Sequence, residues 1–469
     1  MTRGAARSES PAAGVSWFWI AAAMLVFAPL VRGGNRPLPL LVLECASLLA
    51  FVLAAFYGAR DLQRVSLPPM LGWAILLLLV VPLIQRVPVP FGWWAALPGH
   101  EPYAQALRGA TDPPAWHSVS LHARATEYAW LAMLPPLAVF GMVQAMGRRQ
   151  LRRLVVIFVA VALLEAVLGL MQLGAAPGSP LTLGNRFGGG AATGTYVNKN
   201  HFAALMAMAL PMLIALWAGE VVPARDANGE ILREHPRHRD AKLARRLVLS
   251  VFVVVLVVAL LFTRSRAGIG SGLMAFALAS LTLVWNAGSR QARAVFAVVG
   301  IAALGLAAYV GLTPVLERFS PEELTVSYEG RLRIAAAAVR AALDFLPLGS
   351  GLGTFADAFP LYQGTSLPGF VDHAHDDYAE AFLELGVAGI AAIALLAAAY
   401  VMRWRELLRM PPSRGLGSLQ VCAGLGMLAL IVHAGFDFNF HIPANALYFA
   451  FLAGVFWFTP AGDRAPAAA

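Results

Sequence analysis

Apolar residues fill this chain in long uninterrupted runs separated by short polar connections, without the alternation of a half-buried strand. A helix needs about 20 apolar residues to cross a hydrocarbon layer roughly 30 Å thick. Twelve runs meet that length, at approximately 15–31, 38–58, 67–85, 125–146, 154–173, 201–219, 247–263, 267–285, 294–312, 378–400, 417–435 and 443–459. Their continuous apolarity predicts helices, because barrel strands would alternate. The first run has the length of a signal peptide, but eleven more follow it. The expected fold class is therefore all-α: a polytopic membrane protein of about 12 transmembrane helices, with 1–469 forming a single membrane domain. One long loop, 313–377, carries a short helix from about Arg331 to Phe345, bounded by Gly330 and the turn from Pro347 to Gly353.

Composition excludes water as the main solvent. The chain is 59% hydrophobic and 13% charged with mean hydropathy +0.67, whereas soluble domains carry about a quarter charged residues. Charge then orients the spans, since Lys and Arg are retained on the cytoplasmic side. Most of the 35 basic residues fall on the side shared by both termini, including the clusters at 148–153 and 237–246. Both termini are thus expected in the cytoplasm of a bacterial inner membrane protein, with 86–124, 174–200, 264–266 and 313–377 facing the periplasm. The net charge of +9 reads as topology and attraction to anionic membrane lipids, and no aromatic-interleaved basic motif points to nucleic acid. Cys45 and Cys422 lie inside predicted spans, so neither a disulfide nor thiol chemistry is expected.

Candidate chemistry gathers on the periplasmic side. Arg264 and Arg266 stand between two apolar runs in LLFTRSRAGIG, where guanidinium groups either snorkel as anchors or bind an anion. Arg333 and Arg340 share one face of the loop helix and Arg331 another, an arrangement that also suits a solvated face. The same loop ends in VDHAHDDYAEAF, with His373, His375, Asp376, Asp377 and Glu380. Imidazole and carboxylate together suit a metal, but two histidines two apart make poor helical ligands and no second cluster completes them. A general base is the better functional reading, and a polar helix cap is the plain one. Asn198, Lys199, Asn200 and His201 stand at the mouth of one span, and His433, Asp437, Asn439, His441 and Asn445 at the mouths of two others; all are compatible with ordinary capping. PLGSGLGTF lacks the strand and the Lys–Ser pair of a phosphate loop, and reads as a turn.

Taken in order, TRSRAGI, EGRLRIAAAAVRAALDFLPLGSGLGTF and HAHDDYAEAFLELGVAG resemble the O-antigen ligase and O-antigen polymerase family of bacterial envelope enzymes, and VNKNHFA and DFNFHIPANA fit the same resemblance. It covers roughly 185–445. It implies an inverting, metal-independent glycosyltransferase of the GT-C type, without cofactor, that takes a glycan from an undecaprenyl-diphosphate-linked donor and passes it to a lipid or glycan acceptor. Arg266 and Arg331 take the places of the family's diphosphate-binding arginines and His375 that of its base. Asp376 stands where an Asn is common. Arg264, His373, Asp376, Arg333, Asn198, Asn200 and Asp437 are the further substrate-binding candidates. Within the family, a ligase and a polymerase of lipid-linked repeat units both fit, with ligase-like the reading adopted. From another class, a lipid-linked glycan flippase or secondary transporter also shows twelve spans, but would place its ionisable residues at mid-membrane.

Overall fold

The computed structural model describes residues 11–57, 67–110, 112–176, 178–185, 190–221, 236–287, 321–364, 369–409 and 416–459. The predicted span 294–312 and the start of the long loop, 313–320, lie outside the described residues. The helices are α1 (Pro11–Leu30), α2 (Pro37–Tyr57), α3 (Pro69–Gln85), α4 (Phe91–Ala95), α5 (Glu101–Ala110), α6 (Ala123–Leu131), α7 (Leu134–Gln144), α8 (Arg148–Leu173), α9 (Lys199–Val221), α10 (Pro236–Phe262), α11 (Arg266–Ala287), α12 (Pro321–Asp344), α13 (Phe355–Ala358), α14 (Asp377–Arg409), α15 (Leu416–Ala434) and α16 (Pro443–Phe456). Two three-residue strands, β1 (Pro88–Pro90) and β2 (Trp116–Ser118), pair antiparallel. Among the described residues, seven helical segments are long and apolar enough to cross a membrane, and three shorter apolar helices accompany them. The chain is an all-α polytopic membrane protein.

Two elements differ from the hydropathy reading. The predicted span 125–146 stands as one candidate span, Ala123–Gln144, but with a turn between α6 and α7, where Pro135 and Pro136 remove two backbone donors. The loop helix begins ten residues before Arg331, at Pro321, and passes through Gly330. The order Pro–Glu–Glu at 321–323 is a helix-start signal, and one glycine inside a helix costs only about 1 kcal/mol.

Helix α9 is the axis of the bundle: every side chain from His201 to Ala218 is buried. It packs against α10, α11 and α15, and it approaches α11 closely because Gly268 and Gly272 present no side chain to Ala203 and Ala207. Small residues permit such backbone contact where lipid supplies no hydrophobic drive between helices. At the far end, Gln144, Arg403 and Gln420 donate to the carbonyls of Gly454, Phe456 and Phe458, which no helical N–H reaches. Glu165, buried within α8, accepts from the Thr195 backbone N–H and hydroxyl at 2.8 Å each. A carboxyl group in a span thereby anchors the 190–198 connection.

The connections on the other face form a shelf. Phe345, Phe355 and Phe359 make its core with the alanines of α12 and Leu383 of α14. Gln85, closing α3, donates to Leu348 O and Glu384 O and accepts from Leu352 N–H, which ties the shelf to the bundle. The glycines of PLGSGLGTF all have positive φ, and side chains on them would collide with Glu384, Ser120 and Ala129. They form a packed turn, as read. Gly386 breaks α14 with φ +57, and a Cβ there would overlap the Pro347 carbonyl. Gly386→Ala is therefore expected to cost at least about 1–3 kcal/mol from backbone strain alone, visible as a lowered unfolding temperature in detergent. Wild-type stability would show that the kink relaxes freely.

Candidate functional site

Segments far apart in the chain meet where α9 and α16 begin and α15 ends, around one carboxylate. Asp437 lies in the α15–α16 connection and is fully buried. Its Oδ1 accepts from Phe438 N–H at 3.0 Å and lies 3.3 Å from His375 Nδ1 and 3.8 Å from His201 Nε2. Its Oδ2 accepts from Asn200 Nδ2 and lies 3.7 Å from an Arg331 guanidinium nitrogen. An unpaired buried carboxylate would be costly. Burial by itself raises the Asp437 pKa, but the adjacent imidazoles of His201 and His375 and the charge of Arg331 hold it well below the usual carboxylate range.

Arg331 thus reaches from α12 to the α15–α16 connection, where it also donates to the Phe436 carbonyl. His375 has a left-handed backbone, φ +52, uncommon for a residue with a Cβ. Its neighbours fix that turn: Ala374 N–H donates to Glu380 Oε2 at 2.8 Å, and Asp376 Oδ1 accepts from Tyr378 and Ala379 N–H as the cap of α14. The Phe438 ring is in contact with three imidazoles, stacked on His373 with centroids 4.2 Å apart and edge-on to His375 and His201.

The TRSR turn is built locally. Arg264 is left-handed with φ +52, and Ser265 caps α11 by accepting from Gly268 N–H. Arg266 opens α11. Gly268 packs against His433, and Phe436 N–H donates to the His433 carbonyl at 3.0 Å. The Arg266 turn and the Asp437 connection therefore share one neighbour. Among the described residues, Arg264 Nε, His201 Nε2, both His433 ring nitrogens and Asn439 Nδ2 are enclosed without a hydrogen-bond partner. Several orphaned polar atoms in one region mark a place that takes up water or a polar ligand group.

Other predicted residues have plainer surroundings. Asn198 accepts from Asn200 N–H at the start of α9 and so caps it. Arg333 is exposed on α12. Asp437 is fully buried and meets Arg331 and His375.

A second polar cluster adjoins the first. Glu380 Oε1 is 2.8 Å from His373 Nδ1 and 3.2 Å from His441 Nε2, while His441 Nδ1 is 3.0 Å from Asp377 Oδ1. Burial alone would lower the His441 pKa, but the Glu380 and Asp377 carboxylates push it up to about 10. From the sequence, no second cluster was expected to complete His373 and His375 with their acidic neighbours. The structure joins Glu380 and His441 to His373 and leaves His375 outside the cluster. His201 and His441 were legible only as polar residues at helix mouths; the signal that sets them apart is polarity inside otherwise apolar segments.

No curated protein matches the chain. A family model described as O-antigen ligase matches residues 251–394, the stretch that carries Arg264, Arg266, Arg331, His373 and His375. The remaining members of the arrangement, Asn200, His201 and Asp437, stand outside that stretch and bond into it. The chain is a polytopic membrane protein whose residues 251–394 are similar to the O-antigen ligase family.

Proposed function

We propose that the chain transfers a glycan from undecaprenyl diphosphate to an acceptor hydroxyl at the periplasmic face, with inversion at the sugar and no metal at the diphosphate. The observation that supports this most is the Asp437 carboxylate, which lies against both Arg331 and His375. One residue thereby sets the distance between a cation for the leaving group and a base for the acceptor.

With His375 Nδ1–H donating to Asp437, Nε2 carries the lone pair and acts as general base, as hydrogen-bonded imidazoles do. The acceptor O–H gives its proton to Nε2 while its oxygen attacks C1 from the face opposite the phosphate. The C1–O bond to phosphate breaks, and undecaprenyl diphosphate leaves with the electron pair. Arg331 and Arg266 meet the charge gathering on it by forked hydrogen bonds, which strengthen at a low-dielectric boundary. Arg264, Arg333, His373, Asp376, Asn198 and Asn200 line or brace the approaches to donor and acceptor. The donor enters sideways from the membrane, and a hydrophilic acceptor from above.

Purified protein given an undecaprenyl-diphosphate glycan alone, and then with lipid A–core, tests the reading. Glycan on lipid A–core, formed equally well without added magnesium or manganese, is the expected product. Lengthened lipid-linked glycan without the second substrate would make it a polymerase, and unaltered donor moved across vesicles would make it a flippase. In the same assay Arg266→Lys and Arg331→Lys are each expected to lose about 10-fold or more, because lysine keeps the charge but not the fork. Full turnover in both would reduce these arginines to membrane anchors.

A further inference from the structure

We infer that His373, Glu380 and His441 form a binding site for one transition-metal ion of the zinc class, a structural staple between the end of the long loop and the α15–α16 connection. It goes beyond the transfer reaction and does not depend on it.

The donor set and its geometry carry the inference. One atom from each residue, His373 Nδ1, Glu380 Oε1 and His441 Nε2, lies within 4.8 Å of the other two. Glu380 Oε1 is 2.8 Å from the first imidazole and 3.2 Å from the second. Ligand atoms around tetrahedral zinc stand about 3.3 Å apart for bonds of roughly 2.0–2.1 Å, so Glu380 Oε1 already lies near that spacing from both imidazoles, and rotation of the two rings toward each other by about 1.5 Å closes the centre. Two imidazoles and one carboxylate leave a fourth position for water, the usual count for three protein ligands.

What lies behind the ligands points the same way. His441 holds Asp377 Oδ1 at 3.0 Å through Nδ1, which leaves Nε2 to face the cluster. That is the carboxylate–histidine pairing that fixes the tautomer of a metal-bound imidazole. Asp377 is fixed in turn by Phe440 N–H, and the second Glu380 oxygen by Ala374 N–H. His373 rests on the Phe438 ring, and Glu380 is almost fully buried. Each ligand is thus oriented by a group that is not a ligand.

The test is metal uptake by full-length protein in detergent with its affinity tag removed. Wild type is expected to bind about one zinc per chain, and bound cobalt to show the intense visible bands of a tetrahedral site. His441→Ala is expected to abolish uptake, and Asp377→Asn to weaken it about 10-fold or more. His375→Ala, which removes the general base, is expected to bind zinc as wild type does. Zinc uptake no greater in wild type than in His441→Ala, or a cobalt protein without tetrahedral bands, would overturn the site and leave a proton-held cluster. If His441→Ala does not fold, Asp377→Asn and the wild-type cobalt spectrum decide. Because the readout is metal content, a negative result leaves the transfer reading where it stands.

Discussion

Replacing His375 by alanine is expected to lower glycan transfer per folded molecule by about 10²-fold or more, the usual worth of a positioned general base. Donor binding should survive, because the imidazole contributes to proton transfer and not to the grip on diphosphate. The loss should therefore fall on kcat, with KM for the donor little changed. Transfer and folded yield have to be measured together. His375 occupies a left-handed position beside the α14 cap, so some stability change accompanies any substitution there. Wild-type kcat in folded His375→Ala would remove the base assignment.

Asp437 carries the second large effect, and its two substitutions separate charge from volume. Asp437→Ala leaves Arg331 and the His201–His375 pair without their shared anion. Breaking a buried ion pair on one side typically costs about 3–5 kcal/mol, and the lower end applies because Arg331 is partly open to solvent. Asp437→Asn keeps the shape and should cost less stability. It nevertheless removes the anion that fixes the His375 tautomer and steadies Arg331, so transfer should fall by about 10²-fold. A folded Asp437→Asn protein with full turnover would show that the carboxylate is only a structural plug.

Much of the architecture was legible because each apolar run satisfies its own backbone within the membrane. Length and hydropathy therefore locate helices such as α8, α9 and α15 with little tertiary information. The exceptions are local: Pro135 and Pro136 break a run whose hydropathy is continuous, and Pro321 starts a helix in a segment that reads as polar loop. The site was legible as chemistry but not as arrangement. Arg331, His375 and Asp437 each stand out by type and place, yet no spacing rule brings position 437 to position 375, because helix packing alone decides it. Glu380 illustrates the limit. One turn into α14 it looks like part of a cap, and only the return of the chain at His441 makes it a bridge between two imidazoles.

The carboxylate that joins Arg331 to His375 also sets a timetable. A ribosome delivers α9, with Asn200 and His201, long before it delivers Asp437, and the arginine and the base follow in between. Until α15 and the turn after it have inserted, His375 and Arg331 lack the carboxylate they share. A chain released early then holds these side chains without the carboxylate that joins them. The arrangement around Asp437 is complete only when the last helical hairpin is in place.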